Sequence, residues 1–252
     1  MMSNWPRRIA RFAFGKVLPK GYAYPVVRGP LRGFRFILGA AAGAGGGASI
    51  LFGLAEPEQI QAFTAAVKPG QIVFDVGANV GYYTLLGSRL VGANGLVLSI
   101  EPACRNIHYL YRHLKLNSIK NVIILPSACS DDLGVASFSL GENCAIGHLQ
   151  EIAGEQVKRC SDKTLVPTVT IDSITEHIGL PDVIKIDVEG AEFQVLQGGQ
   201  HTLAEARPSI FLSTHSAETQ LQCLRYLESM DYTIAALDNH GQKASEYYAI
   251  GH

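Results

Sequence analysis

From residue 72 onward, short apolar runs alternate with segments in which apolar residues recur every three or four positions. The first pattern is typical of buried strands and the second of helices packed on a sheet. The sequence predicts strands at 72–76, 96–101, 122–126, 134–140, 166–170, 183–187, 209–214, about 231–237 and about 246–250. It predicts helices near 56–67, 80–91, 103–116, 172–178, 191–204 and 217–229. This alternation indicates the α/β fold class: a doubly wound, mainly parallel sheet with helices on both faces.

The N-terminal part of the chain follows a different pattern and is predicted to form a small extension. Residues 7–18 can form a short basic amphipathic helix, and a weak strand pair is predicted around 34–38 and 49–52. We therefore divide the chain into the extension, residues 1–55, and an α/β domain, residues 56–252.

The composition indicates a globular protein with a large core, since 47% of the 252 residues are hydrophobic and 17% are charged. The net charge of −1 conceals an asymmetry, because residues 1–55 hold eight basic residues and no acidic one, whereas the remainder holds 13 basic and 22 acidic residues. The basic segment can lie on an anionic membrane surface or pack on the domain with a solvated edge, and we favour packing. The acidic domain disfavours nucleic acid as a partner.

Cysteine usage and hydropathy suggest a compartment. The five cysteines form no C-x-x-C pair, which predicts reduced thiols in a cytoplasmic protein and no zinc site. The sequence shows no signal-peptide pattern, and the uncharged stretch 37–54 is too rich in Ala and Gly to favour membrane insertion. We expect a cytoplasmic protein, with peripheral membrane contact through its basic N-terminus as the alternative.

A Gly-rich turn, Asp75-Val76-Gly77-Ala78-Asn79-Val80-Gly81, follows the first strand of the domain. Gly77 and Gly81 allow the backbone to approach a ligand closely. Asn79 replaces the second glycine of the dinucleotide fingerprint, which argues against a dinucleotide. Glu101 ends the next strand, where an α/β unit places the carboxylate that binds ribose hydroxyls. An acid before the glycines suits a cationic ligand, so we predict S-adenosylmethionine as the cofactor.

A second group of acids follows the strand at 183–187. Asp187 and Glu189 are expected at the same rim as the Gly-rich turn, because the carboxyl ends of parallel strands face one crevice. His215 follows the next strand and adds an imidazole. Each of these three side chains is a candidate general base. Asp187 and Glu189 could also bind Mg²⁺, but without a third clear oxygen ligand we expect no metal.

Other positions carry local predictions. Lys185 alternates with Asp187 on one strand face, which predicts an ion pair. Asp172 is predicted to cap the helix that follows it, and Glu192 either complements a helix dipole or joins the rim. The stretch 141–164 lacks periodicity and is predicted to be a lid or substrate loop.

Several segments together resemble the FkbM-type methyltransferases. They are 75–84 (DVGANVGYYT), 100–102 (IEP), 121–122 (NV) with 128–131 (ACSD), and 184–192 (IKIDVEGAE). The resemblance extends from about residue 50 to 236 and implies a seven-stranded Rossmann-like sheet of the class I methyltransferase type. It departs from the family at Ala55, where a Tyr often stands, and at Ser213, where an acid is common.

The resemblance also implies roles for the cofactor residues. Asp75 and the backbone from Gly77 through Ala78 and Asn79 to Gly81 would hold the methionine end of S-adenosylmethionine. Glu101 would accept the ribose hydroxyls, and a single carboxylate can bind both. Ser127 and Ala128 would border the adenine.

The predicted function is methyl transfer to a hydroxyl group of a sugar or another small-molecule or natural-product acceptor. The predicted catalytic residues are His215, Asp187 and Glu189. An N- or C-methyltransferase on the same scaffold is one alternative, because these motifs do not identify the acceptor atom. A non-catalytic cofactor-binding or membrane-associated protein is the other.

Overall fold

The computed structural model describes residues 18–41, 47–140, 147–150, 163–237 and 245–252. The strands are β1 (Ala23–Pro25), β2 (Arg35–Ile37), β3 (Ile72–Val76), β4 (Leu96–Ile100), β5 (Val122–Leu125), β6 (Ala128–Cys129), β7 (Gly134–Leu140), β8 (Gly147–Gln150), β9 (Lys163–Val169), β10 (Val183–Ile186), β11 (Ser209–Ser213), β12 (Tyr232–Ala236) and β13 (Glu246–Gly251). The helices are α1 (Ala48–Leu51), α2 (Pro57–Ala66), α3 (Tyr82–Val91), α4 (Cys104–Leu116), α5 (Ile171–Ile178), α6 (Glu192–Gln197), α7 (Gln200–Ala206) and α8 (Ala217–Ser229).

A seven-stranded sheet in the order β12-β13-β11-β10-β3-β4-β5 forms the centre of the fold. The five strands from β11 to β5 are parallel, and β13 and β12 complete the other edge in antiparallel pairs. Successive residues of β3 face opposite sides: Val73 packs in one hydrophobic core and Phe74 in another. The predicted doubly wound, mainly parallel sheet is therefore confirmed.

Two predicted strands, 134–140 and 166–170, belong to a different sheet. They correspond to β7 and β9, which form a four-stranded sheet with β6 and β8 in the order β6-β9-β7-β8. Most of the predicted substrate loop, 141–164, lies outside the described residues.

The described part of the N-terminal extension shares one core with the α/β domain. Phe36 and Leu51 are buried in the same cluster as Phe63 of α2 and Leu85 of α3. The predicted basic helix lies outside the described residues, apart from Leu18. The division of the chain at residue 55 stays a prediction.

The predicted strand at 49–52 is wrong. These residues form helix α1, and β2 instead pairs with β1 in antiparallel register. A strand would point Ile50 and Leu51 to opposite faces, whereas the helical turn buries both in one core.

The predicted helix at 191–204 is divided into α6 and α7 by Gly198 and Gly199. A Cβ on Gly198 would overlap the main-chain oxygen of Ser130, so the chain passes close to a neighbouring loop at this point. In the part of the chain that the structure describes, no helix has the length and apolar character needed to cross a membrane.

Candidate active site

Two adjoining cavities open where β3, β4 and β10 end. We call the first the Glu101 cavity; it is lined by Glu101, Asn106, Ser127, Ala128, Phe138 and Glu189, among others. We call the second the Tyr83 cavity; its lining includes Glu56, Asp75, Ala78, Tyr82, Tyr83 and Lys185. Gly77, Asn79 and Asp187 line both cavities. The two cavities are thus lined by all of the predicted cofactor-binding and catalytic residues except Gly81 and His215.

The Gly-rich turn is shaped by contacts within the protein. Gly77 has a φ of 82°, and a Cβ there would overlap the main-chain oxygen of Asp187. Gly81 has a φ of 94° and precedes α3, and a Cβ there would overlap the side chain of Leu110. From the sequence alone, both glycines are predicted to allow a ligand to approach the backbone. The structure shows that packing and positive φ already require them.

Glu101 is almost fully buried and is held by three donors. Its Oε2 accepts from the amide of Asn79 at 2.8 Å. Its Oε1 accepts from the amide of Ala103 at 2.8 Å and from Nδ2 of Asn106 at 3.2 Å. Burial raises the pKa of Glu101 even though the three hydrogen bonds act in the opposite direction. A carboxylate has about four acceptor positions, so this arrangement leaves about one for a ligand, on Oε2. The sequence-based assignment of both ribose hydroxyls to Glu101 needs two such positions, so it is reduced to one hydroxyl.

Asp75 is buried beneath the Tyr83 cavity. Its Oδ2 accepts from the Thr84 hydroxyl at 2.6 Å, and that hydroxyl also lies 2.8 Å from the Ser99 hydroxyl. Burial raises the pKa of Asp75 to about 6, against the hydrogen bond from Thr84 and the charge of Lys185, which lower it. Asp75 therefore belongs to an internal polar network as well as to the wall of the cavity.

Lys185 lies at the centre of a buried ionic network that the sequence revealed only in part. Its Nζ donates to the Ser213 hydroxyl at 2.7 Å and lies 3.3 Å from Oδ2 of Asp187, which confirms the predicted ion pair. Burial alone lowers the pKa of Lys185, but the charges of Asp187, Glu246 and other nearby carboxylates raise it overall. Lys185 is therefore a cation that offsets several acids at the rim.

Glu246 supplies the carboxylate that position 213 lacks. Ser213 and Glu246 are paired residues on the antiparallel strands β11 and β13, and the Ser213 hydroxyl donates to Oε2 of Glu246 at 2.9 Å. The position where the family often carries an acid thus has one nearby in space. Glu246 is not predicted from the sequence, because only the pairing of β11 with β13 brings together these residues, which are 33 positions apart.

The N-terminal end of α2 brings further polar side chains to the crevice that are not predicted there from the sequence. The Tyr83 hydroxyl donates to Oε2 of Glu56 at 2.6 Å and contacts Oε1 of Gln59. The Gln59 amide nitrogen donates to Glu246. These contacts connect α2 to the Lys185 network. The Glu56-Pro57 helix start was visible in the sequence, but its direction towards the crevice was not.

His215 is surrounded by carboxylates. Its Nδ1 lies 2.7 Å from Oε1 of Glu192, and its Nε2 lies 3.2 Å from Oε2 of Glu189 and 3.5 Å from Oδ1 of Asp187. Partial burial lowers the pKa of His215, but the hydrogen bond to Glu192 and the charges of Asp187 and Glu189 raise it to about 9. As long as no cation is bound, these carboxylates therefore favour a protonated imidazole, which is a poorer general base than a neutral one.

Glu192 joins the rim and does more than complement a helix dipole. It is fully buried, and its Oε1 accepts from the amide of Gly190 at 2.9 Å as well as contacting His215. Asp172, by contrast, does not cap the helix that follows it. Thr170 caps α5, and Asp172 instead accepts from the amides of His201 and Thr202 at the start of α7.

The mainly parallel sheet, the Gly-rich turn after β3 and the acid after β4 define the class I S-adenosylmethionine-dependent methyltransferase fold. Within this class the chain belongs to the FkbM family, since residues 75–243 match the methyltransferase FkbM domain.

Solved structures show the same fold at low identity. One is methyltransferase FkbM from Methylobacillus flagellatus KT, with 15% identity and a TM-score of 0.52; the match covers 97% of this chain and 59% of that protein. This chain therefore spans less than two thirds of that relative's length. Another is a putative rRNA-methylase from Clostridium thermocellum, with 12% identity and a TM-score of 0.50; the match covers 78% of this chain and 92% of that protein. No curated protein matches the chain.

Proposed function

We propose that the protein transfers a methyl group from S-adenosylmethionine to a hydroxyl oxygen of a sugar or another hydroxyl-rich small molecule. The observation that carries this proposal is the meeting of two polar cavities at Gly77, Asn79 and Asp187. The reacting groups would meet at these shared residues, with the adenosine in one cavity and the acceptor reaching them from the other.

The Glu101 cavity fits the adenosine part of the cofactor. The free acceptor position of Glu101 suits one ribose hydroxyl, and the small residues Ser127 and Ala128 leave room for the adenine ring. Asp75, Ala78 and the main chain from Gly77 to Gly81 would hold the methionine end at the wall of the Tyr83 cavity. The bound cofactor supplies a methyl group that its sulfonium already activates, so the protein must mainly position the acceptor.

The Tyr83 cavity fits a hydroxyl-rich acceptor. Glu56, Lys185 and Asp187 line it, and they offer carboxylate acceptors and an ammonium donor. Asp187 is our proposed proton acceptor, because it lines both cavities at the point where they meet. Glu189 and His215 would complete the catalytic group by orienting Asp187.

We place the reaction in the cytoplasm, with peripheral membrane contact through the basic N-terminus as the alternative. The reduced thiols expected from the sequence support this location. In the described residues, Cys104, Cys129 and Cys223 are free. The acidic character of the domain supports a small-molecule acceptor over a nucleic acid.

The test is calorimetric titration of S-adenosylmethionine into the wild-type protein, Glu101→Ala and the exposed control Glu218→Ala. We expect Glu101→Ala to weaken binding by about 2 kcal/mol, which is roughly 30-fold, because a charged hydrogen bond is lost. Labelled methyl transfer to a panel of hydroxylated acceptors then identifies the product. Absence of cofactor binding by the wild type would overturn the proposal, and an N- or C-methylated product would overturn the choice of acceptor atom.

A further inference from the structure

The loops after β10 and β11 hold three metal-ligating side chains close together. We infer that Asp187, Glu189 and His215 bind a divalent transition-metal cation, with Mn²⁺ as the best match. The inference deepens the proposed function and rests on it, because two of the three residues line the cavity assigned to the cofactor. It departs from the sequence-based expectation of no metal, since the missing third ligand is a nitrogen from His215.

The positions of the ligand atoms fit one ion. One ligand atom from each of Asp187, Glu189 and His215 lies within 4.8 Å of the other two. Nε2 of His215 is 3.5 Å from Oδ1 of Asp187 and 3.2 Å from Oε2 of Glu189. Carboxylate oxygens and imidazole nitrogens bind such cations at about 2.0–2.2 Å, so ligands of one ion are separated by roughly 3–4.4 Å. The three side chains can therefore reach a common ion with little movement.

The orientation of His215 supports metal binding independently of the acidic cluster. Glu192 is fully buried, and its Oε1 lies 2.7 Å from Nδ1 of His215. An ionised carboxylate only accepts hydrogen bonds, so it fixes the proton on Nδ1 and directs the Nε2 lone pair of a neutral imidazole towards Asp187 and Glu189. Histidine ligands of metals almost always have such a carboxylate or carbonyl partner on their other nitrogen.

The charge around His215 also favours a cation. Asp187, Glu189 and Glu192 all contact the imidazole, and Lys185 contacts Asp187. Oε2 of Glu192 is buried and has no hydrogen-bond partner among the described residues. Such a group is costly to bury, and a cation bound next to its histidine partner would offset part of that cost.

The ligand types point to the kind of metal. Ca²⁺ and Mg²⁺ prefer oxygen ligands, whereas imidazole suits transition metals such as Zn²⁺, Fe²⁺ and Ni²⁺, and carboxylates also suit Mn²⁺. Mn²⁺ accepts both carboxylate and imidazole, and three protein ligands would leave coordination positions open. An acceptor hydroxyl bound at an open position would lose its proton more readily.

The test uses the full-length, chelator-treated protein and Mn²⁺ as the probe. Electron paramagnetic resonance measures the loss of the free Mn²⁺ signal as protein is added. We expect one Mn²⁺ per chain, and at least tenfold weaker binding in both Glu189→Gln and His215→Gln. The exposed control Glu218→Gln should bind as the wild type does, and circular dichroism checks that each variant is folded.

The outcomes separate the metal site from the proposed function. No Mn²⁺ binding by the wild type, or unchanged binding in a folded Glu189→Gln variant, would overturn the metal site. Displacement of Mn²⁺ by an equal concentration of Ca²⁺ would overturn the transition-metal assignment. S-adenosylmethionine binding is measured on the same samples. If the cofactor binds and Mn²⁺ does not, the metal site is overturned and the proposed function stands. If Mn²⁺ binds and the cofactor does not, the proposed function is overturned and the metal site stands.

Discussion

Gly77 and Asp187 touch through their main chains where β3 and β10 end. A Cβ on Gly77 would overlap the main-chain oxygen of Asp187, so the glycine permits the two loops to meet. These two residues also line both cavities. A close main-chain contact between the loops that follow the two parallel strands is thus located at the point where we place methyl transfer.

Substitution Gly77→Ala should destabilise the fold and displace Asp187. A positive φ costs a non-glycine residue about 1–2 kcal/mol, and overpacking adds about 1–3 kcal/mol. Gly70→Ala is the matched control, because Gly70 has a φ of 86° but open space around its Cβ position. Urea unfolding should show a clearly larger loss of stability for Gly77→Ala. Equal losses for the two variants would contradict the contact with Asp187.

Much of the fold and the position of the crevice could be predicted from the sequence, because both follow from local patterns. The run 72–76 followed by Gly77 predicts a strand, a turn and a helix without knowledge of distant residues. Glu246 could not be found in this way, because it reaches Ser213 only through the register of β11 and β13. The contact between Glu192 and His215 joins the start of α6 to the loop after β11, and no local pattern predicts it.

Lys185 should be more important for stability than an ordinary surface lysine. Replacement by Met leaves the buried Asp75 and the half-buried Glu246 without their cation. Removal of one partner from a buried ion pair costs about 3–5 kcal/mol, and the partial exposure of Asp187 places the expected loss at the lower end of this range. Lys115→Met, on the exposed face of α4, is the control. The double variant Lys185→Met/Glu246→Gln should be less destabilised than the sum of the two single variants predicts, by at least about 1 kcal/mol. Additive losses in chemical denaturation would argue against a connected network.

Asp172 should stabilise α7, although it lies in the first turn of α5. Its Oδ1 accepts from the amide and the hydroxyl of Thr202, and its Oδ2 accepts from the amide of His201. Asp172→Ala should therefore cost about 1–2 kcal/mol, as expected for the loss of a helix cap. Glu176→Ala, on the exposed side of α5, should cost much less. Hydrogen exchange should increase in α7 rather than in α5, and the opposite pattern would restore the sequence-based assignment.

His113 connects the N-terminal extension to the α/β domain in its neutral form only. Its Nε2 accepts from the amide of Ile37 at 3.0 Å, so its Nδ1 must donate to the carbonyl oxygen of Val80 at 2.7 Å. The imidazole is fully buried and stacks on Phe36 with a centroid distance of 4.1 Å. Burial, aided by the charge of Arg112, lowers the pKa of His113 from 6.5 to about 4, against the hydrogen bond to Val80.

Acid should therefore weaken the fold through His113. Below pH 6.5, His113 binds a proton in the unfolded chain but not in the folded chain. The stability that neutral His113 contributes is therefore complete above pH 6.5 and is lost as the pH falls towards 4. Between pH 7.5 and 5.0 the loss is about 2 kcal/mol. His113→Gln keeps one donor and one acceptor but cannot titrate, so its stability should fall by about 2 kcal/mol less over this range. The exposed control His177→Gln should follow the wild type in urea unfolding, and parallel curves for all three proteins would show that His113 does not titrate as expected.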